Sequence, residues 1–567
     1  MWLTNFHSLK SSNNIDTERK VYNALESDDL ADIVMTALEI LNLQTKCANK
    51  FIPQEEISMY KSEISSTIYR EQGNNHFNNK EYKAALELYN KALMFAPVNS
   101  RAMALAYSNR SAILFKVNLF ELCISDIEKS LAAECPSHII TKLQNRREAA
   151  EKNVGLYIYQ YDDVIKNYAQ NYFDVKQHQQ IPYANIDVRL LDGEVKVTAR
   201  SSIHSGKVIT YEEPYMMTSI TDNRLVLCHY CYKFVPNLIP CQNCCDVLYC
   251  SEDCKDLSFK EYHEIECKIM NFIELTEYEG VIHSLIFRTA LKMKYGSSWN
   301  DFIKASKLMG SERIKSSNIE TLNFTNKFSI LCASENKPFI YGKKFNTSFV
   351  FAKLIQHLDK SRLFFPQSGK QKAMRAFARI MMHLYLYASV RKLYPYSFDA
   401  FLKLHLLVRV PSFGIYTFAS KLNYSCKPNC LLISLNRKTY YIAIRNIKPG
   451  DELIVSDELF PDTDCKISAQ DYNYVCDCLA NKDQTSRDHI SSEQKLYYNN
   501  LDIDNLITLG KDEKISFIFE TTAKALDVLG DVPGSDEYKK VYRLFRFCLG
   551  ALEFTQTESI FISPDMN

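Results

Sequence analysis

The chain has 567 residues, of which 46% are hydrophobic and 24% are charged, the composition of a folded rather than a disordered protein. Lys and Arg number 68 against 67 Asp and Glu, so no net field would draw the whole molecule to nucleic acid or to an anionic membrane. The N-terminus lacks the apolar core of a signal peptide, and 18 cysteines without such a signal indicate a reducing compartment. We therefore expect a multidomain protein of the cytoplasm and nucleus that does not span a membrane.

The first predicted elements are paired helices. The segment YREQGNNHFNNKEYKAALELYNKALMFAP (69–97) recurs from Tyr107 as YSNRSAILFKVNLFELCISDIEKSLAAECP. Small and aromatic residues in the first copy match the helix-turn-helix pattern of a tetratricopeptide (TPR) unit. Because one unit cannot cover its own apolar face, we expect helices in residues 15–65 and 135–155 to complete an array.

Polar side chains of the array could line one groove. Cations and amides spaced one helical turn apart can grip carboxylates, and this pattern resembles the carboxylate-clamp TPR domains that bind the C-terminal EEVD of heat-shock chaperones. The residues concerned are Arg70, Asn74, Asn109, Lys142 and Arg146. The same charges would also suit a solvated helix surface, so both interpretations stay open.

Eight of the 18 cysteines lie between Cys228 and Cys267. A short turn between two cysteines presents two thiolates to one ion, and tetrahedral zinc requires two such pairs. A cross-braced pairing predicts two zinc ions and leaves Cys245 over. Their ligands would be Cys228, Cys231, Cys250 and Cys254 for the first ion, and Cys241, Cys244, His263 and Cys267 for the second. A redox CxxC and buried free thiols are the alternatives.

This spacing, with Tyr249 before Cys250 and a final HxxxC, resembles a MYND zinc finger. The resemblance implies a protein-binding module that often takes proline-rich peptides. Acidic side chains outnumber basic ones over residues 228–267, so direct nucleic-acid binding is not expected.

Strand-like segments flank the cysteine cluster. VKVTARSSIHSGKVITYEEPY (195–215) precedes it, and LNYSCKPNC (422–430), the strand pair LLISL and YYIAI, and IKPGDELIVSD (447–457) follow a helical stretch. In this order the segments resemble a SET domain. Together with the TPR and MYND patterns, they resemble the TPR-bearing branch of the SMYD family of protein-lysine methyltransferases, over about residues 69–480.

The resemblance implies methyl transfer from S-adenosylmethionine to a lysine of a protein substrate. It gives cofactor-binding positions at Gly193, Glu194, Val195, Lys196, Asn423 and Tyr424. It also implies a catalytic role for Tyr472, and a third zinc site at Cys426, Cys476 and Cys478. The alternative for residues 422–430 is a purely structural turn.

Four positions depart from the pattern of active family members. Residues 194–196 stand where a glycine-rich loop is expected, Tyr424 replaces histidine, and Asp457 replaces the catalytic tyrosine. Asn481 replaces a cysteine, which leaves the third zinc one thiolate short unless Cys430 or Cys465 serves. A carboxylate at position 457 would tend to keep the substrate ammonium protonated.

These departures predict weak activity and suggest a rival function. In that alternative the chain is a catalytically silent scaffold that links a heat-shock chaperone tail to a client or regulatory partner. We predict a multidomain α+β fold with an α-helical TPR array, a split mostly-β SET domain and an inserted MYND finger. The predicted divisions are a helical N-terminal segment (1–64), TPR-like repeats (65–155), the SET N-terminal part (183–227), the MYND finger (228–267), a helical SET insert (268–405), the SET C-terminal part (406–460), a post-SET cysteine region (461–487) and a helical C-terminal region (488–567).

Overall fold

The computed structural model is α+β and mostly helical. It describes residues 15–48, 61–154, 163–174, 185–191, 194–219, 224–232, 235–269, 278–308, 341–387, 390–393, 412–416, 418–419, 422–424, 428–435, 438–455, 489–503, 505–506, 515–530 and 535–556. Within these ranges no helix is both long and apolar enough to cross a membrane.

Two N-terminal helices, α1 (Ile15–Glu26) and α2 (Leu30–Ala48), pack away from the repeat array. Their buried side chains share one hydrophobic core with helices that follow the cysteine cluster. The carboxylate of Asp29 also accepts hydrogen bonds from Arg375 and Arg379 of that region. The expectation that these helices complete the array is therefore wrong, because an amphipathic face can be covered by any complementary surface.

Five consecutive helices occupy the predicted repeat region, and each packs on the next. They are α3 (Glu63–Asn78), α4 (Tyr82–Phe95), α5 (Arg101–Lys116), α6 (Phe120–Ala132) and α7 (Ser137–Glu151). A Cβ atom at Gly73 would lie 2.6 Å from the ring of Tyr89, so only glycine allows α3 and α4 to approach so closely. Leu143 and Ala150 of α7 share a core with α6, as expected for residues 135–155. A further helix, α8 (Asp163–Tyr172), follows.

The strands form four small sheets within the described residues. They are β1 (Ile186–Leu191), β2 (Glu194–Ala199), β3 (Val208–Glu212), β4 (Met216–Ser219), β5 (Ile239–Pro240), β6 (Leu248–Tyr249), β7 (Val390–Leu393), β8 (Ser412–Ile415), β9 (Asn423–Tyr424), β10 (Cys430–Leu435), β11 (Lys438–Ala443) and β12 (Ile454–Val455). The largest sheet has the order β3-β11-β10-β12-β9. Because β3 pairs with β11, strands from before and after the cysteine cluster belong to one sheet.

The segment between β6 and β7 is helical. It contains α9 (Glu252–Ser258), a π-helical turn (Phe259–His263), α10 (Glu264–Glu266), α11 (Tyr278–Lys294), α12 (Trp299–Leu308), α13 (Tyr341–Ser361) and α14 (Lys370–Tyr387). The predicted helical stretch does not run unbroken to residue 405, because β7 pairs with β8 in a three-stranded sheet with β4.

Three C-terminal helices, α15 (Ser492–Asn500), α16 (Ile515–Leu529) and α17 (Asp536–Gln556), pack against the five-stranded sheet. The Tyr538 hydroxyl donates to the carbonyl of Ile444, at 3.0 Å. These helices cover one face of the sheet, through Tyr440 and Ile442. Tyr441 points to the other face, where it shares a core with Tyr416 and Phe418.

Candidate metal centres and cofactor site

Four cysteine thiols from two parts of the chain converge into a first group. The Sγ atoms of Cys228, Cys231, Cys250 and Cys254 all lie within 4.8 Å of one another. Cys250 Sγ is 3.5 Å from Cys231 Sγ and 3.5 Å from Cys254 Sγ. Tetrahedral zinc with Zn–S bonds of about 2.3 Å holds its sulfur atoms about 3.8 Å apart. This group therefore has the ligand type and spacing to hold one zinc ion.

A second group contains Cys241, Cys244, His263 and Cys267, whose ligand atoms also lie within 4.8 Å of one another. Cys241 Sγ is 4.0 Å from Cys267 Sγ, and Cys244 Sγ is 3.6 Å from Nε2 of His263. Three thiols and an imidazole nitrogen are a common zinc ligand set. Cys245 is buried and belongs to neither group.

Local structure delivers these ligands in pairs. The β5–β6 hairpin ends next to Cys241 on one strand and Cys250 on the other. Ser251 then caps α9 by accepting a hydrogen bond from the backbone N–H of Cys254, at 3.2 Å. The cap fixes the turn between Cys250 and Cys254, so both thiols point to the same side.

The carboxylate of Glu266 lies behind the second group. Nδ1 of His263 lies 2.9 Å from it, and Nε2 of the same ring lies 3.6 Å from Cys244 Sγ. With its proton on Nδ1, His263 would donate to Glu266 and offer Nε2 to a zinc ion. Nε2 of His229 lies 3.2 Å from the same oxygen, and Arg288 donates to the other oxygen. Arg288 also contacts Thr218 on β4, at 3.1 Å. A buried network thus connects the metal ligands to the helical insert and to the sheet.

This network fixes the charge of its members. Burial would raise the pKa of Glu266, but the Arg288 guanidinium and the two histidine contacts hold it well below its usual range. Burial, and then the charge of Arg288, lower the pKa of His229 to about 4. At neutral pH His229 is therefore an uncharged hydrogen-bond donor beside an ionised carboxylate.

The predicted cofactor region is built around β9 and β12. These short strands pair in parallel, Asn423 opposite Ile454 and Tyr424 opposite Val455. Asn429 joins β12 to β10, because its side-chain oxygen accepts from Ile454 N at 2.7 Å and its amide donates to Glu452 O at 2.7 Å. Both described ends of LNYSCKPNC are therefore tied to the IKPGDEL segment.

Two of the strands predicted to bind the cofactor meet at Glu452. The side-chain amide of Asn423 donates to the Glu452 carboxylate at 2.6 Å. From β2, Thr198 forms a bridge to Glu452, and the half-buried Lys196 lies two positions before it. Where a glycine-rich loop was expected, Glu194 and Val195 pair with β1 as regular strand residues.

A buried carboxylate holds the chain shortly before LNYSCKPNC. Glu212, at the end of β3, accepts backbone hydrogen bonds from Phe418 and Ala419, each at 2.9 Å. The Tyr441 hydroxyl donates to the same group. Glu212 therefore positions the approach to Asn423.

The five residues of the predicted groove are only partly brought together. Asn109 donates to Asn74 at 2.6 Å. Arg146 donates to the carbonyl of Ser108, the neighbour of Asn109, at 2.8 Å. Lys142 is exposed. Among the described residues, the buried Nε of Arg70 has no hydrogen-bond partner.

Several predicted site residues lie outside the described residues. They are Gly193, Cys426, Asp457, Tyr472, Cys476 and Cys478, and with them Cys465 and Asn481. The side chain of Tyr424 also lies outside them, although its backbone belongs to β9. Cys430, the other candidate for the third zinc, is a core residue whose thiol donates to Asn429 at 3.3 Å.

The sequence interpretation missed Glu212, Glu266, Arg288, Asn429 and Glu452 as supporting residues. Four of them stand inside the motifs of the sequence analysis: Glu212 in YEEPY (211–215), Glu266 in the final HxxxC, Asn429 in LNYSCKPNC and Glu452 in IKPGDELIVSD. A search for polar residues beside the predicted ligands would therefore have found them. Arg288 comes from a distant helix, and no local signal connects it to the finger.

A SET domain family profile matches residues 47–456, more than half of the chain. Three curated relatives are protein-lysine N-methyltransferases SMYD4. The Danio rerio protein is 28% identical over 281 residues, 45% of this chain and 35% of its own length. The Mus musculus protein is 22% identical over 306 residues, 42% of this chain and 38% of its own. The Homo sapiens protein is 23% identical over 265 residues, 35% of this chain and 33% of its own.

The matched part of the chain thus spans about a third of the length of these relatives. The SET match includes the strands around Asn423 and Asn429. The chain belongs to the SET domain family and, through these relatives, to its SMYD branch.

Proposed function

We propose that the protein is an S-adenosylmethionine-dependent protein-lysine N-methyltransferase of the SMYD type. The observation that carries this proposal is the SET match over residues 47–456, together with the tie between LNYSCKPNC and Glu452. The relatives are protein-lysine N-methyltransferases, and nothing in the comparisons favours the silent scaffold.

In this proposal Glu452 orients Asn423 towards the cofactor. The Asn423 amide donates to the Glu452 carboxylate, so its carbonyl oxygen becomes the acceptor available to a donor group such as the cofactor amine. Lys196 lies on β2 two residues before Thr198, which forms a bridge to Glu452. The bound cofactor supplies an electrophilic methyl group, and the protein must hold the substrate amine in line and exclude water.

Tyr472 and Asp457 stay predictions for the substrate side of the site. We propose that Tyr472 helps position the lysine amine, and that Asp457 makes deprotonation of that amine harder. Asp457→Tyr should then raise the methylation rate. An unchanged rate in a variant with normal cofactor affinity would argue against this role for Asp457.

Cofactor binding is the direct test. Calorimetry of the full chain with S-adenosylmethionine and S-adenosylhomocysteine should give micromolar affinity, reduced about tenfold by Asn423→Ala because a charge-assisted hydrogen-bond partner is lost. Asn153→Ala at the end of the repeat region, which removes a hydrogen bond to Ala149, is the control and should bind normally. No binding to a folded, zinc-containing protein would overturn the proposal in favour of the scaffold.

The finer division of the chain is also part of this proposal. We interpret α3 to α7 as the TPR array, residues 228–267 as an inserted MYND finger, and the strands on either side as a split SET domain. The pairing of β3 with β11 supports the split, and the two groups of four ligands support a finger with two zinc ions. The third zinc and the proline-rich peptide ligand of the finger rest on the family resemblance.

We further propose a carboxylate-bearing peptide, such as a heat-shock chaperone EEVD tail, as a partner of the array. The buried, unpartnered Nε of Arg70 within the described residues supports an anionic ligand. A double change of Lys142 and Arg146 to alanine should abolish binding of an EEVD peptide, whereas Lys152→Ala, an exposed neighbour, should not. Equal affinity of all three proteins would refute the clamp.

The substrate protein and the location stay predictions as well. We propose that the protein acts on a protein substrate or client. We also propose that it is located in the cytoplasm and nucleus, and imaging of a tagged chain would test this location.

A further inference from the structure

A buried arginine inside the repeat array has more N–H donors than its ion pair uses. Arg110 of α5 is fully buried and pairs with Asp126 of α6 through two hydrogen bonds, of 2.6 and 2.8 Å. An arginine carries five N–H donors, and this pair uses only two of them. The remaining donors must find partners, because an unsatisfied buried donor is costly.

Those partners lie outside the array. Nη1 of Arg110 donates to the backbone carbonyl of Leu238 at 2.7 Å and to the side chain of Asn90 at 2.6 Å. Asn90 in turn donates to the carbonyls of Leu225, at 2.7 Å, and Pro236, at 3.3 Å. Two buried polar residues of the array thus satisfy three carbonyls of the cysteine region.

These carbonyls flank the first metal ligands. Leu225 precedes Cys228 and Cys231, while Pro236 and Leu238 precede Cys241 and Cys244. These hydrogen bonds therefore hold both ends of the segment that supplies Cys228 and Cys231 to the first group. The Leu238 carbonyl also lies three residues before Cys241, the first ligand of the second group.

Apolar packing joins the same two regions. Met94 of α4 belongs to one hydrophobic core with Cys228, Cys241 and Tyr249. The polar contacts and this core form one buried interface, so separating the regions would expose both together.

We propose that Arg110 and Asn90 are positioning residues for the two metal centres, through which the helical array holds the ligand-bearing segment in shape. Metal retention then depends on the array, and the array is stabilised when the metals are bound. The inference rests on the zinc sites proposed above.

The test measures transfer of zinc from the purified full chain to an excess of chelator, followed with a colorimetric indicator. Asn90→Leu removes the hydrogen bonds to the carbonyls of Leu225 and Pro236 with little change in side-chain volume. It should speed zinc loss about tenfold. Ser130→Ala is the matched control, since it removes a buried hydrogen bond within the array, to Ala104, and should release zinc at the wild-type rate.

A second variant tests the same proposal in case Asn90→Leu does not fold. Arg110→Met combined with Asp126→Leu replaces the ion pair by apolar side chains, which buried pairs often tolerate. With helix content unchanged by circular dichroism, it should also lose zinc faster by about tenfold, because the Leu238 carbonyl loses its donor.

The outcomes separate the two proposals. A wild-type chain without bound zinc overturns the metal sites and this inference with them. Zinc bound at wild type but released at equal rates from Asn90→Leu, the double variant and Ser130→Ala overturns the positioning role alone.

Discussion

At the scale of single residues, Glu266 is the buried carboxylate that connects the cysteine region to the helical insert. It is fully buried and contacts His263, His229 and Arg288. Its carboxylate both orients a predicted zinc ligand and balances the charge of a buried guanidinium. A glutamine has nearly the same shape, but it carries no charge and so cannot balance the guanidinium of Arg288.

We therefore expect Glu266→Gln to weaken zinc retention and to lower the free energy of unfolding. The affinity of the second group should fall about 10-fold to 100-fold, as for other partners of metal-bound histidines. The unfolding free energy should fall by about 3 kcal/mol, because Arg288 loses its counter-charge. Zinc competition titration and urea unfolding measure the two effects.

The exposed Glu252 of the same finger provides the control, with its side chain 67% exposed. Glu252→Gln should change neither quantity appreciably. If Glu266→Gln behaved like Glu252→Gln, the orienting role of Glu266 would be excluded.

At the scale of elements, the turn at Gly206 shows how the C-terminal helices meet the sheet. Gly206 has a φ of +79°, and a Cβ atom there would lie 2.8 Å from the Cβ of Ala523 on α16. Gly450 has a similar φ of +88° but no atom near its missing Cβ. The two glycines share backbone strain and differ in packing.

We expect Gly206→Ala to destabilise the protein more than Gly450→Ala. In both variants the left-handed backbone conformation lowers the free energy of unfolding by about 1 kcal/mol. Gly206→Ala should lower it further, by about 1–3 kcal/mol, because the new Cβ atom forces α16 away. Urea unfolding gives the difference, and equal losses would mean that α16 moves without cost.

The contact of α2 with the helical insert gives a second prediction for an element. Asp29 accepts from the backbone of Ala31 at 2.9 Å as a helix cap, and from Arg375 and Arg379 as an ion pair. Asp29→Asn should lose the ion pair, about 1 kcal/mol. Asp29→Ala should lose the cap as well, about 1 kcal/mol more.

The pH dependence checks this assignment. Burial would raise the pKa of Asp29, but hydrogen bonds from Arg379, Ala31 and Arg375 hold it well below its usual range. Its stabilisation is therefore present above the unfolded-state pKa of about 3.9 and is lost as pH falls below that value. The difference between wild type and Asp29→Asn in amide exchange of α2 should shrink from pH 7 to pH 3. A difference that grew on acidification would contradict the ion pair.

At the scale of the whole molecule, metal content reports on the state of the domains. Two complete groups of four ligands lie among the described residues, whereas the third predicted site lacks one cysteine at Asn481. We expect about two zinc ions per chain by mass spectrometry of the purified protein. Cys254→Ser should reduce the count by one, and a count of three in wild type would mean that another residue completes the third site.

The sequence by itself determined the local elements and the ligand pairs, because these depend on short-range spacing. Helix pairs follow from apolar periodicity, and the convergence of Cys228 with Cys254 or Cys241 with Cys267 follows from pairs separated by turns. The resemblance of the strand-like motifs to a SET domain was also readable from the sequence, and the SET match confirms it.

The tertiary structure alone decided which surfaces meet. Apolar periodicity predicts that a helix has a buried face but does not name its partner, so α1 and α2 were wrongly assigned to the array. For the same reason no local pattern predicts that Arg288 reaches Glu266, or that Arg110 reaches Leu238. Such partners are chosen by long-range packing and by the need to satisfy buried charges, and neither is encoded in neighbouring residues.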